Sequence, residues 1–277
     1  MADGGSLRRQ TQAERADRHV LYEAAVQCVD AECDFITTTF RALRGRTPLA
    51  LREDFCGTAG ISCHWAGLGP RHRAVGVDLD PEVLAWARER RFPRLAPARR
   101  RRVTLLEANV LDVQGDGIDG RPVDVVGAFN FSYWVFKSRA LLRRYFRRVR
   151  ASLAPDGVFF LDAFGGYDAY RVLRESTPNR GFTYVWDQAY YSPVTGDIRC
   201  HIHFRFPDGS KLQEAFSYDW RLWSLPEIRE LLAEAGFSRS AVYWEGTGPD
   251  GHGNGEFSPV TEGDADAGWV AYIVAEP

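Results

Sequence analysis

Leu49-Ala-Leu-Arg-Glu-Asp-Phe-Cys-Gly-Thr-Ala-Gly60 decides the fold. A short apolar segment runs into two acids and then into a turn of small residues. That is the pattern of a buried strand handing the chain to a helix N-terminus. Ala74-Val-Gly-Val-Asp78 repeats the strand, and Asp80-Pro81-Glu82 starts the next helix with an Asp N-cap, Pro at the first helical position and an acid in the first turn. Val103–Ala108, Pro122–Phe129 and Val158–Ala163 are further strands. The helix before the last of them carries Leu141, Leu142, Tyr145, Phe146, Val149 and Leu153 on one face and ends at Pro155-Asp-Gly157. Upstream, Phe35, Ile36, Phe40 and Leu43 recur at helical spacing from about Asp30 to Arg44, and Gly45 closes the run. This alternation predicts βαβ units and a mainly parallel sheet.

The rhythm changes after about Tyr170. Phe182–Tyr191, Asp197–Phe206 and Lys211–Asp219 read as antiparallel strands joined by hairpin turns at Ser192–Gly196 and Pro207–Ser210. The capping box Ser224-Leu-Pro-Glu227 then opens a helix stopped by Gly236, and Ser240–Trp244 and Gly268–Val274 are the last strands. Between those two strands, residues 245–267 form a Gly-rich acidic loop. The expected organisation is a tail (residues 1–18) and helical cap over 1–45, an α/β core over 46–170, an antiparallel insertion over 171–222 serving as substrate lid or dimer face, and completion of the core over 223–277.

The chain has 277 residues, a net charge of −2, 45% hydrophobic and 26% charged residues. These are ordinary globular values, against a disordered or disulfide-scaffold chain and against a global pull towards nucleic acid or membrane. Cys28, Cys33, Cys56, Cys63 and Cys200 contain no Cys-x-x-Cys pair, so neither a disulfide framework nor a four-thiolate metal site is expected. No apolar leader or run of roughly 20 apolar residues is present, so a cytoplasmic protein is expected. Arg replaces Lys almost everywhere, with Lys137 and Lys211 the two exceptions.

Open parallel sheets bind ligands at the carboxyl ends of their strands. The residues found there are Glu53–Gly60, Asp78, Glu107-Ala-Asn109-Val110 and Phe129-Asn-Phe-Ser-Tyr-Trp134. The small residues of the first turn let backbone N–H groups approach a ligand. Asp78 stands where a carboxylate accepts ribose hydroxyls, and Asp80 is already the helix cap. Asn109 equally suits a turn, Glu53 strand-end solvation, and Cys56 and Cys63 packing.

This layout resembles the class I S-adenosylmethionine-dependent methyltransferases over roughly Leu49–Ala163 plus the last helix and strands. In their acid-x-Gly-x-Gly-x-Gly turn Glu53 takes the acidic place and Gly57 the central glycine, while Phe55 and Ala59 replace the outer two. The resemblance implies a doubly wound, seven-stranded Rossmann-like sheet with its last strand antiparallel, and S-adenosylmethionine as cofactor. It implies cofactor contacts from Glu53, Phe55, Cys56, Gly57, Thr58 and Ala59, a ribose on Asp78, and adenine between Leu79, Asn109 and Val110. Phe129 and Asn130 would complete the site, with Tyr22 of the cap closing over it.

The expected acceptor is a small molecule methylated on oxygen or nitrogen. Phe131, Tyr133 and Trp134 would line its pocket, with Trp186 and Tyr218 of the insertion and Arg221 for a carboxylate. His201, His203 or Asp162 would take a proton or hold an amine. His201 and His203, two apart on a strand, share a face, an arrangement equally at home on a plain surface or in a core. No third ligand accompanies them, so no metal is expected. Eight Arg between Arg88 and Arg102 and six on Arg139–Arg150 leave a nucleic-acid methyltransferase as the second reading. The missing first glycine argues against a nicotinamide dehydrogenase. A protein that only binds S-adenosylmethionine, and a homodimer through the insertion's exposed edge, both stay open.

Overall fold

The computed structural model describes residues 10–113, 120–249 and 253–277. The chain forms two compact units, one of Val29–Ala169 with Arg221–Pro277 and the other of Met1–Cys28 with Tyr170–Trp220. No helix among the described residues is long and apolar enough to cross a membrane.

The larger unit holds one sheet. Its strands are β1 (Ala50–Asp54), β2 (Arg73–Asp78), β3 (Val103–Glu107), β4 (Val123–Ala128), β5 (Leu153–Gly165), β10 (Arg239–Thr247), β11 (Gly253–Val260) and β12 (Trp269–Glu276). Their order is β11-β10-β12-β5-β4-β1-β2-β3. The β3-to-β5 half is parallel, and β12 enters antiparallel to both β5 and β10. The seven expected strands are therefore joined by an eighth, β11, built from the Gly-rich segment expected to be a loop; it pairs antiparallel with β10 along the sheet's edge.

Helix α3 (Val29–Arg44) lies on one face because its stripe, Cys33, Ile36 and Phe40, closes onto Leu51, Val125, Val158 and Phe160. Each such buried side chain is worth roughly 1.5–3 kcal/mol over exposure. The opposite face takes Phe159, packed against Phe146 of α7 (Arg139–Ser152) and Phe237 just beyond α8 (Leu225–Glu234). Helices α4 (Gly60–Trp65) and α5 (Pro81–Trp86) follow β1 and β2. Asp80 caps α5 by accepting the Glu82 N–H at 2.8 Å, and Ser224 and Glu227 form the expected capping box on α8. The last carbonyls of α4 are met by Arg99, whose Nε donates to Cys63 O at 2.8 Å and whose Nη2 donates to His64 O at 3.3 Å. A Cβ on Gly67 would stand 2.4 Å from that guanidinium carbon, so only glycine admits it.

The smaller unit is a four-stranded sheet ordered β6 (Leu173–Asn179), β7 (Phe182–Tyr191), β8 (Asp197–Arg205) and β9 (Lys211–Arg221). The strand β6 precedes the three expected ones; Pro178 suits it because an edge strand has one row of N–H groups to spare. Of the polar tail expected over residues 1–18, residues 1–9 lie outside the described residues. The remainder holds a capped turn of helix, α1 (Gln12–Arg15), followed by α2 (Arg18–Val26). Leu21, Tyr22, Ala25 and Val26 of α2 pack on Ile202, Phe204 and Ala215 of the sheet.

Candidate cofactor and acceptor site

At the carboxyl end of β1 the backbone turns through three left-handed residues, Phe55 (φ 57°), Gly57 (φ 51°) and Ala59 (φ 58°). A residue with a Cβ pays about 1–2 kcal/mol for that conformation, so two such residues in one turn mark a fixed shape. The turn sits tightly on β2, where a Cβ on Gly76 would lie 2.8 Å from Cys56 Sγ. Cys56, Thr58 and Ala59 are buried beneath it, whereas Phe55 and Gly57 reach its rim and nothing lies within 4 Å of a Cβ placed on Gly57. Burial holds the Cys56 thiol well above its usual range, as suits a packing residue.

Asp78 joins this turn to the next. Its Oδ2 accepts the Gly57 N–H at 2.7 Å and its Oδ1 the Asp80 N–H at 3.0 Å. The sequence left Asp78 without a structural task; the structure gives it one, while each half-buried carboxylate oxygen keeps a further acceptor site. Leu79 beside it is 67% exposed, and Ala108, adjoining Asn109, donates its N–H to Asp78 O at 2.9 Å. Asp78, Gly57, Leu79 and Asn109 therefore meet at one sheet edge, with Val110 buried behind. Asn109 Oδ1 accepts the Leu111 N–H at 2.9 Å, so the turn reading of that residue holds.

Glu53 is buried. Its Oε2 accepts the Ser62 N–H at 2.7 Å and the Ser62 hydroxyl at 2.5 Å, which caps α4. Burial raises its pKa to about 7, with the Ser62 bonds and Arg91 opposing and Asp78 adding to the rise. Next to it, Asp54 is neutralised by Arg52 in a fully buried ion pair, with the Tyr145 hydroxyl donating to Asp54 Oδ2 at 2.9 Å.

The turn after β4 is a second strained junction, with Asn130 (φ 55°) and Phe131 (φ 57°) both left-handed. Asp162 of β5 holds it, its carboxylate accepting the Asn130 N–H at 2.8 Å and the Phe131 N–H at 2.9 Å. Burial lifts its pKa to about 7 against those bonds. Asp162 is thus occupied with backbone instead of standing free for an acceptor amine. Tyr133 and Trp134, expected to line a pocket, are fully buried: Tyr133 donates to Asp162 O at 2.7 Å and Trp134 packs on Phe164. Phe129 is also buried, leaving Asn130 and Phe131 half-buried at the rim. Arg221 has no free fork, since it bonds Glu227 and Lys137 O and stacks 3.8 Å from the Trp223 centroid.

In the smaller unit, strand parity separates what sequence spacing had grouped. His201 pairs with Asp187 and His203 with Val185, whereas Trp186 pairs with Ile202 and Tyr184 with Phe204. The imidazoles therefore occupy one face. Trp186, Tyr184 and Tyr218 occupy the other, beneath α2, where Tyr22 packs 4.9 Å from Phe216. A single aromatic pocket containing both His is excluded. His203 is also saturated. Its Nδ1 accepts the Glu214 N–H at 2.8 Å, so its Nε2 carries the proton and donates to Asp187 at 3.1 Å. His201 Nδ1 meets Ser217 Oγ at 2.7 Å. Among the described residues no three His, Cys, Asp or Glu converge on a metal position.

The signal for one further residue was missed. Glu32 precedes Cys33 in the apolar stripe of α3 and is buried with it. A glutamate four residues before Ile36 on such a stripe is the clue the periodicity offered.

Residues 56–159 match the family model of a methyltransferase domain. Over that stretch, from the turn after β1 into β5, the chain is similar to a methyltransferase domain. Solved methyltransferases share the fold over nearly the whole chain. One from Clostridium acetobutylicum is 16% identical, with a TM-score of 0.67 over 93% of this chain and 96% of its own. The amino pentose methyltransferase CalS10 from Micromonospora echinaspora is 18% identical, with a TM-score of 0.64 over 94% and 96%. The sugar N-methyltransferase KedS8 from Streptoalloteichus is 19% identical, with a TM-score of 0.61 over 100% and 98%. No curated protein matches the chain in sequence. On α7, Arg139 and Arg143 pair with Glu234 and Arg144 with Asp112 at the surface.

Proposed function

We propose that this methyltransferase acts on a small molecule and transfers the methyl group to an amine nitrogen. The observation that carries the cofactor half is the Asp78 junction. A half-buried carboxylate fixed by Gly57 and Asp80 N–H groups, with an open glycine on one side and exposed Leu79 on the other, fits an adenosyl group. Asp78 would accept the ribose hydroxyl protons through its remaining lone pairs, and Leu79 and Val110 would flank the adenine. When bound, the cofactor supplies an already activated methyl group on a sulfonium. The chain's own task is therefore to align the acceptor and exclude water. The strained turns at Phe55–Ala59 and Asn130–Phe131 support that task because they hold backbone rigidly at the ends of β1 and β4.

The nitrogen reading draws on the amino-sugar acceptors named for CalS10 and KedS8. Calorimetry with S-adenosylmethionine and S-adenosylhomocysteine tests the first half, and mass-spectrometric methyl incorporation across amino sugars and other small amines tests the second. Binding of a dinucleotide in place of either adenosyl compound would overturn the reading. Incorporation into RNA alone would transfer it to the nucleic-acid alternative.

A further inference from the structure

Helix α3 sets a glutamate where its apolar stripe should continue. Glu32 is 7% exposed, and its Oε2 is buried without a hydrogen-bond partner among the described residues. Strand alternation shows what this oxygen faces. Leu51 and Glu53 project to one side of β1, as do Phe160 and Asp162 on β5. Leu51 and Phe160 pack with Cys33, Ile36 and Phe40 of α3, so Glu53 and Asp162 lie on the α3 side of the sheet at its carboxyl end. Electrostatics agree: after burial, the influences that raise the Glu32 pKa, to about 8, are the charges of Asp162 and Glu53.

Three acids share one low-dielectric region, and Arg91 offsets Glu53 there. Such a region either takes up protons or receives a cation. A metal does not fit, because no three such side chains converge tightly enough among the described residues. Dispersed acids suit a group with several N–H donors pointing apart, as a primary ammonium has.

Resting on the methyltransferase reading above, we infer that Glu32 receives an organic primary ammonium group, its unpaired oxygen accepting one N–H while Glu53 and Asp162 supply the surrounding negative charge. The ammonium is that of the cofactor's methionyl portion or that of the acceptor.

Calorimetry of wild type and Glu32→Gln with S-adenosylhomocysteine and with 5′-methylthioadenosine, which lacks the amino-acid portion, separates the two sources. If the cofactor supplies the group, Glu32→Gln weakens S-adenosylhomocysteine binding by about tenfold or more and leaves methylthioadenosine unchanged. If the acceptor supplies it, both nucleosides bind as before. Methylamine, ethanolamine or glucosamine then raises the melting temperature of the wild-type S-adenosylhomocysteine complex and not that of the variant. Unchanged nucleoside binding together with no amine shift, or an equal shift in both proteins, overturns the inference. Glu32→Leu, which fills the space with no polar group to bury, is run through the same assays should Glu32→Gln fail to fold. A wild-type protein that binds neither nucleoside refutes the cofactor reading itself, and this inference with it.

Discussion

Raising the pH should discharge protons from the buried acids and weaken the fold, and Glu32→Gln should remove the largest part of that loss. Burial moves the Glu32 carboxyl from its ordinary 4.5 to about 8, with Asp162 and Glu53 reinforcing the shift. The folded protein therefore holds a proton that the unfolded chain has already released. The stability this confers is complete below about pH 4.5 and is lost as pH rises through about 8. At about 1.36 kcal/mol per pK unit, the separation corresponds to roughly 5 kcal/mol. Asp162 and Glu53, each raised to about 7, lose theirs in the same direction over a narrower window. Urea unfolding at about pH 5, 6, 7 and 8 measures this directly, with an expected slope near 1.4 kcal/mol per pH unit for each acid titrating. Glu32→Gln should flatten the curve by about one proton and make the variant the more stable protein by pH 8. Parallel curves for the two proteins would refute the placement of Glu32 in a low-dielectric acid cluster.

Asp78→Ala should weaken S-adenosylhomocysteine binding by about 1–3 kcal/mol in calorimetry, through the lost charge-assisted bonds and the slackened Gly57 turn. Unchanged affinity would remove Asp78 from the site. Arg52→Ala should destabilise the protein by about 3–5 kcal/mol, because it leaves Asp54 charged and buried; the joint replacement Arg52→Met with Asp54→Leu should recover most of that in urea unfolding. Gly76→Ala should cost about 1–3 kcal/mol by driving a methyl group against Cys56 Sγ. Adding Cys56→Ala should return part of the melting temperature, and strict additivity of the two changes would show that they do not touch.

The parallel half of the fold was legible because local signals agreed with the tertiary demand. Asp80-Pro81-Glu82 caps α5, Ser224 and Glu227 cap α8, and the strand preceding each turn is a run of apolar residues. β11 was hidden because Gly253, Asn254 and Gly255 belong to turn chemistry, and pairing with β10 overrode that preference. The sequence places Asp78, Asn109, Asn130 and Asp162 near or just beyond strand ends, where the fold has them, but their bonding tasks were not readable. Sequence offers no means of seeing that Asp162 is spent on two backbone N–H groups, or that Glu214 supplies the N–H that fixes the tautomer of His203. The His pair and the aromatic set were grouped by proximity in the chain. A pairing register, known only from the folded sheet, assigns them to opposite faces.

The cationic composition of this chain, nearly all Arg, reads at first as a neutral habit. Arg99 gives it a structural consequence. A flat guanidinium slides over Gly67 and serves two carbonyls of the preceding helix at once, which the single rounded ammonium of a lysine has no shape to do. An exchange that conserves charge at that position would still uncork the end of α4, the same short helix whose opposite end is held by Glu53. A lysine at Arg99 would therefore be felt in the packing of α4 before any effect on solubility or charge.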